Sequence, residues 1–143
     1  MMIPGFRDDG YLPEGLHLAT EAEVISRFGR ITEWRERLAA RLQRWIALSR
    51  AVAAQRLFVD GSFVTAEPQP KDIDAVVWLG DQFAERVSRG EAQALELQMM
   101  LLKRQPEEIY GAGTRRDWDD WLEFFSRTRE ADGRRKGLVE IEL

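Results

Sequence analysis

Cysteine is missing from the chain altogether, and histidine occurs once, at His17. Disulfides and thiolate metal sites are therefore excluded, and a chain without cysteine fits the cytoplasm. No apolar run approaches the roughly 18 residues that cross a bilayer. The start, MMIPGFRDDG, has neither a basic nor an apolar region of the kind that makes a signal peptide. A Walker-type glycine loop and a nucleophile elbow are also missing. Positive charge is not in excess: the net charge is −4, which argues against broad non-specific nucleic-acid binding. The one basic run, Arg134-Arg135-Lys136, reads as a solvated turn, and Arg115-Arg116 lies well upstream of it.

What is present suffices for one globular domain over residues 1–143, with 44% hydrophobic and 32% charged residues. The first fifteen residues carry Pro4, Gly5, Gly10, Pro13 and Gly15 and read as an irregular lead-in. Thr20 and Glu23 form a capping box that opens a short helix ending at Gly29, so residues 1–30 hold the lead-in and that helix. Thr32 caps a longer helix, Glu33 to about Gln55, with an apolar stripe through Leu38, Leu42, Trp45, Ile46 and Val52. RLFVDGSFV and DIDAVVWL read as strands. Asp81 to Arg104 reads as a helix weakened at Gly90 and stopped by Pro106. EEIY (107–110), Trp118 to Phe125 and GLVEIEL read as strand, helix and strand. The expected class is α/β (α+β), one mixed sheet flanked by helices.

The stretch FVDGSFVTAEPQPKDIDAVVWL, residues 58–79, carries the chemistry. Asp72 and Asp74 are two apart in an expected strand, so their carboxylates share a face. Two such charges side by side are costly unless a cation lies between them, and hard carboxylate oxygens suit Mg²⁺. Gly61 and Ser62 end the preceding apolar run, nine residues before Asp72. Glycine lets a phosphate approach the backbone, successive N–H groups make an anion nest, and the serine hydroxyl adds a donor. Lys71 is a further candidate phosphate contact. His17 reads as a packing or hydrogen-bonding residue, the aromatics Trp118, Trp121, Phe124 and Phe125 as core, and Asp117, Asp119 and Asp120 as acids favoured by a helix start.

Val59-Asp60-Gly61-Ser62 followed by Asp72-Ile73-Asp74 resembles the signature of the nucleotidyltransferase superfamily related to DNA polymerase β. IPGFRDDGYLPEGLHLATEAEVISRFG and DGRRKGLVEIEL resemble a group of small bacterial proteins of unknown function expected to carry that fold, so the likeness spans nearly the whole chain. The resemblance implies a minimal nucleotidyltransferase fold and transfer of a nucleoside monophosphate from an NTP to a hydroxyl, dependent on Mg²⁺ (or Mn²⁺). Pyrophosphate would be released, and the acceptor would be a protein, an RNA or a small molecule, nucleic acid entering only in that role. It implies Asp72 and Asp74 as metal ligands, Gly61 and Ser62 on the nucleotide, and a third catalytic carboxylate. Glu108 is the first candidate for that carboxylate, with Glu140 and Glu142 in reserve. Small members often work beside a partner protein, so an inactive binding or regulatory subunit, as in a toxin–antitoxin or defence pair, is the alternative.

Overall fold

The computed structural model describes residues 3–104 and 108–143. The fold is α+β: the described residues form five α-helices and one five-stranded mixed sheet. In chain order the elements are β1 (Gly15–Ala19), α1 (Glu21–Phe28), α2 (Glu33–Ala51), β2 (Arg56–Asp60), β3 (Asp74–Trp78), α3 (Phe83–Ser88), α4 (Ala92–Lys103), β4 (Ile109–Ala112), α5 (Arg115–Phe125) and β5 (Gly137–Ile141). A short 3₁₀ turn, Ser62–Val64, follows β2. Among the described residues no helix is long and apolar enough to cross a membrane.

The sheet order is β1-β5-β2-β3-β4. β5 runs parallel to β1 and antiparallel to β2, β2 antiparallel to β3, and β3 parallel to β4. Side-chain alternation divides the apolar residues between the two faces. Leu57, Val59, Ala75, Val77, Ile109, Val139 and Ile141 join the main core with α1, α2 and α4. Phe58, Val76, Ala112 and Leu138 form a second core under α5, closed by Trp118 and Phe125. On this second face Arg56 makes a two-pronged ion pair with Glu140, both bonds 2.7 Å, and lays its guanidinium over Trp118.

The capping box at Thr20 is formed in full, and Thr32 and Thr114 cap α2 and α5 through their hydroxyls. Several expectations need correction. The lead-in is not irregular throughout: GLHLA forms β1, because the edge of β5 offers it a hydrogen-bonding partner. His17 therefore lies on a strand, where Nε2 sits 2.7 Å from the Pro13 carbonyl, the hydrogen-bonding role expected of it. α2 stops at Ala51 rather than Gln55, with Ala53 turning left-handed (φ 55°) and the Gln55 N–H donating to the Trp78 carbonyl. The 81–104 helix divides at Gly90 (φ 75°) into α3 and α4. Its expected stop at Pro106, and Glu107 of the expected EEIY strand, lie outside the described residues.

One buried cation fixes the connection between β2 and β3. Arg35 of α2 is 3% exposed and donates to the carbonyls of Phe28 (3.2 Å), Phe63 (2.6 Å), Thr65 (2.9 Å) and Glu67 (2.6 Å). Beside it the Trp34 indole N–H donates to the Pro70 carbonyl. Removing a group that satisfies buried polar atoms costs their full desolvation. Arg35→Leu should lower the unfolding free energy by about 3 kcal/mol or more, read as a shifted urea midpoint with an unchanged slope. A change below about 0.5 kcal/mol would mean that the loop holds itself.

Candidate metal centre

The strand ends of β2 and β3 bring carboxylates together before any distant residue arrives. In the antiparallel register Asp60 lies directly opposite Asp74. β4 enters parallel to β3, and the Glu108 carbonyl accepts from the Ala75 N–H at 3.2 Å, which sets Glu108 beside the start of β3. Asp72, Asp74 and Glu108 each present a carboxylate oxygen, and these three atoms lie within 4.8 Å of one another. The first-choice third carboxylate thus joins the two aspartates. Of the reserves, Glu140 is held by Arg56, and neither it nor Glu142 belongs to a cluster of possible metal ligands among the described residues.

Two of the three do not sit on strands, contrary to the alternation argument. β3 begins at Asp74 and β4 at Ile109, so Asp72 and Glu108 precede their strands. Hydrogen bonds orient Asp72 where a pleat was expected to. The Ser62 N–H donates to Asp72 Oδ1 at 2.8 Å, and the Ser62 hydroxyl lies 2.6 Å from the same oxygen. That hydroxyl also accepts from the N–H groups of Lys71 (2.8 Å) and Asp72 (3.2 Å). Gly61 adopts φ 93°, ψ 177°, a conformation nearly confined to glycine. A Cβ there would meet the Asp72 carbonyl oxygen at 2.9 Å and Ile73 Cα at 3.0 Å. The Gly-Ser pair is thus the splint that presents Asp72, and Ser62's donors are turned toward the carboxylate. Glu108 pays in backbone strain for its place, with φ 49° at a residue that has a Cβ.

The electrostatics match this crowding. Burial, then the charges of Asp72, Glu108 and Asp60, push the Asp74 carboxyl up to about 8. Burial and Asp72 also raise Glu108, whose Oε2 is buried and has no hydrogen-bond partner among the described residues. Asp60, 2% exposed, is pushed up to about 6 by burial against the opposing pull of Lys136, whose Nζ lies 3.1 Å from its Oδ1. A divalent cation fits such a place. Hard oxygens converge, one is buried without a partner, and the repulsion among them is what a metal relieves.

Asp60 and Lys136 escaped the sequence reading. Asp60 left one signal, a charge closing the apolar run of β2. Lys136 left none, being the third member of a basic run whose other two residues pair at the surface, Arg134 with Asp132 and Asp9, Arg135 with Glu123. Lys71 is exposed and adjoins Asp72. Asp117 caps the start of α5 through the Gly113 N–H, and Asp119 pairs with Arg115, so these two acids serve the helix itself.

Neither the curated proteins nor the solved structures gave a match to this chain. A family model does match, over residues 4–142, so that every element described above falls inside it, and the chain belongs to the family of unknown function DUF6932.

Proposed function

We propose that the protein is a metal-dependent nucleotidyltransferase that moves a nucleoside monophosphate from an NTP to a hydroxyl of a protein, RNA or small-molecule acceptor. The observation that carries the reading is the convergence of Asp72, Asp74 and Glu108 within 4.8 Å, beside Gly61 and Ser62. The sequence likeness to the polymerase β superfamily supplies the substrate class. Mg²⁺ or Mn²⁺ held by the carboxylates would neutralise charge developing on the phosphate during an in-line displacement.

The chain's own groups then have distinct tasks. Ser62 holds Asp72 in its ligating orientation, Lys136 offsets Asp60, and Lys71 and the Gly61-Ser62 turn border the phosphates. Glu108, with its unpartnered oxygen, is placed to take the proton of the acceptor hydroxyl as that oxygen bonds to the α-phosphorus. The bond to the β-phosphate breaks and pyrophosphate leaves. The competing reading, an inactive subunit acting through a partner protein, expects the candidate glutamates to lie away from the aspartates, and the place of Glu108 weighs against it. A need for NTPs and the lack of cysteine support a cytoplasmic setting for this activity.

Calorimetric titration with ATP, GTP, CTP and UTP, with and without Mg²⁺, tests the reading. Mg²⁺-dependent binding is expected in the parent protein and its loss in Asp72→Asn. Binding that ignores both the metal and that substitution would overturn it.

A further inference from the structure

The acidic cluster is bordered by an aromatic wall on the α5 face of the sheet. Tyr110 of β4 pairs with Val76, two residues along β3 from Asp74. Two residues of strand rise about 7 Å, so the Tyr110 ring stands one strand over and one short step away from the cluster. Trp121 of α5 lies 4.9 Å from Tyr110, ring centroid to ring centroid, and stacks on Phe125 at 5.6 Å with 24° between planes. Phe124 meets Trp121 edge-on at 6.0 Å and is 56% exposed. Arg104, an exposed residue at the end of α4, holds its guanidinium 5.1 Å from the Tyr110 centroid.

A core needs neither an open ring nor a guanidinium on the outer side of a tyrosine. Helical spacing explains why Trp118 and Phe125 are apolar, since both are buried against Phe58. It leaves Phe124 unexplained, because that residue faces water. What joins Phe124, Trp121, Tyr110 and Arg104 is that they offer flat, polarisable surfaces beside a site for phosphates. Such surfaces favour the face of a nucleobase, for which stacking on aromatic rings and on arginine is effective and tolerant of base identity. A nucleotide whose phosphates lie on the cluster carries its base a ribose away, a span comparable with the two strand residues between Asp74 and the position opposite Tyr110.

We infer that the wall formed by Tyr110, Trp121, Phe124 and Arg104 holds the base of the nucleoside triphosphate. This rests on the nucleotidyltransferase reading and deepens it, and it assigns the nucleoside end of the substrate to α5, β4 and the end of α4. Stacking of this kind holds any base, so purine nucleotides, with the larger ring, bind more tightly than pyrimidine ones.

The test compares ATP with inorganic tripolyphosphate, which carries the phosphates and no base, each titrated into the intact protein with Mg²⁺. Stacking contributes on the order of tenfold or more in affinity, so ATP should bind at least about tenfold more tightly than tripolyphosphate. Phe124→Ala, a change at an exposed ring, should remove about five- to tenfold of the ATP affinity and leave tripolyphosphate untouched, and Arg104→Ala should also weaken ATP. Equal affinity for ATP and tripolyphosphate in the parent, or unchanged ATP affinity in both variants, would overturn the wall while the metal-centre reading stands. If the parent binds neither compound, both fall together.

Discussion

Asp74→Asn should make the metal-free protein more stable while destroying its capacity to bind Mg²⁺. The carboxylate it replaces is crowded by burial and by Asp72, Glu108 and Asp60, and it is held up to about 8. An amide of the same shape keeps the packing and removes the charge. The linkage has a definite sign. The folded state holds a proton on Asp74 at pH values where the unfolded chain, near 3.8, has released it. Stability of the metal-free parent therefore falls as pH rises from about 4 to about 8, and the fall ends once the folded carboxyl has itself ionised. Asp60, raised to about 6, adds to the same slope over the lower part of that window. Melting temperatures measured across this range should descend in the parent and descend less in Asp74→Asn. Saturating Mg²⁺ should oppose the descent in the parent, because the ion binds the deprotonated cluster, and leave the variant unmoved. Metal affinity should drop by at least the roughly 10–100-fold that loss of an outer-shell partner costs a metal site. A variant less stable than the parent at pH 8 would show that Asp74 holds the strand ends together instead of straining them.

Gly61→Ala should be a severely damaging addition of one methyl group, because it joins a backbone clash to a positive φ. The added Cβ meets backbone, not a flexible side chain, at 2.9 Å and 3.0 Å, and φ 93° resists any residue other than glycine. Strain and overpacking together cost about 3 kcal/mol or more, a loss of roughly 10 °C in melting temperature for a domain of this size. The displaced backbone is that of Asp72 and Ile73, so surviving folded protein should also bind Mg²⁺ weakly. Gly133→Ala is the control: that glycine also has positive φ (76°), yet a Cβ there meets nothing within 4 Å. It should cost only the backbone strain, about 1 kcal/mol. Equal losses in the two variants would show that close approach to Asp72 is not what reserves position 61 for glycine.

The parts of the fold that were legible in the sequence are those fixed by neighbours in the chain. Thr20 with Glu23, Thr32 and Thr114 announce helix starts because a cap acts over three residues. The pairing of Asp72 with Asp74 was legible because both open one apolar run, whereas Glu108 was pointed to only by the likeness to a superfamily that uses a third carboxylate. β1 was hidden because it begins among the prolines and glycines of the lead-in, and only its pairing with β5 makes it a strand. Nothing local ends α2 at Ala51, since Val52, Ala53, Ala54 and Gln55 all tolerate a helix. Sheet pairing at Gln55 claims the chain instead. The ion pair of Asp60 and Lys136 joins residues far apart in the chain, with no spacing to betray it. Gly61-Ser62 was legible as a pair that matters, but its action on the Asp72 backbone and carboxylate is a tertiary fact.

The position of β5 bears on how the protein is made. It is the last of the five strands in the chain, yet it lies between the first and the second. During synthesis β2, β3 and β4 can pair as they emerge, while β1 waits without a partner and one edge of β2 stays open. Only when β5 follows does a single segment fill both vacancies and bring Lys136 to Asp60. A nascent chain halted before residue 137 would thus carry an open strand edge, the kind of surface that recruits other unfinished chains, and the sheet is whole only once β5 has joined it.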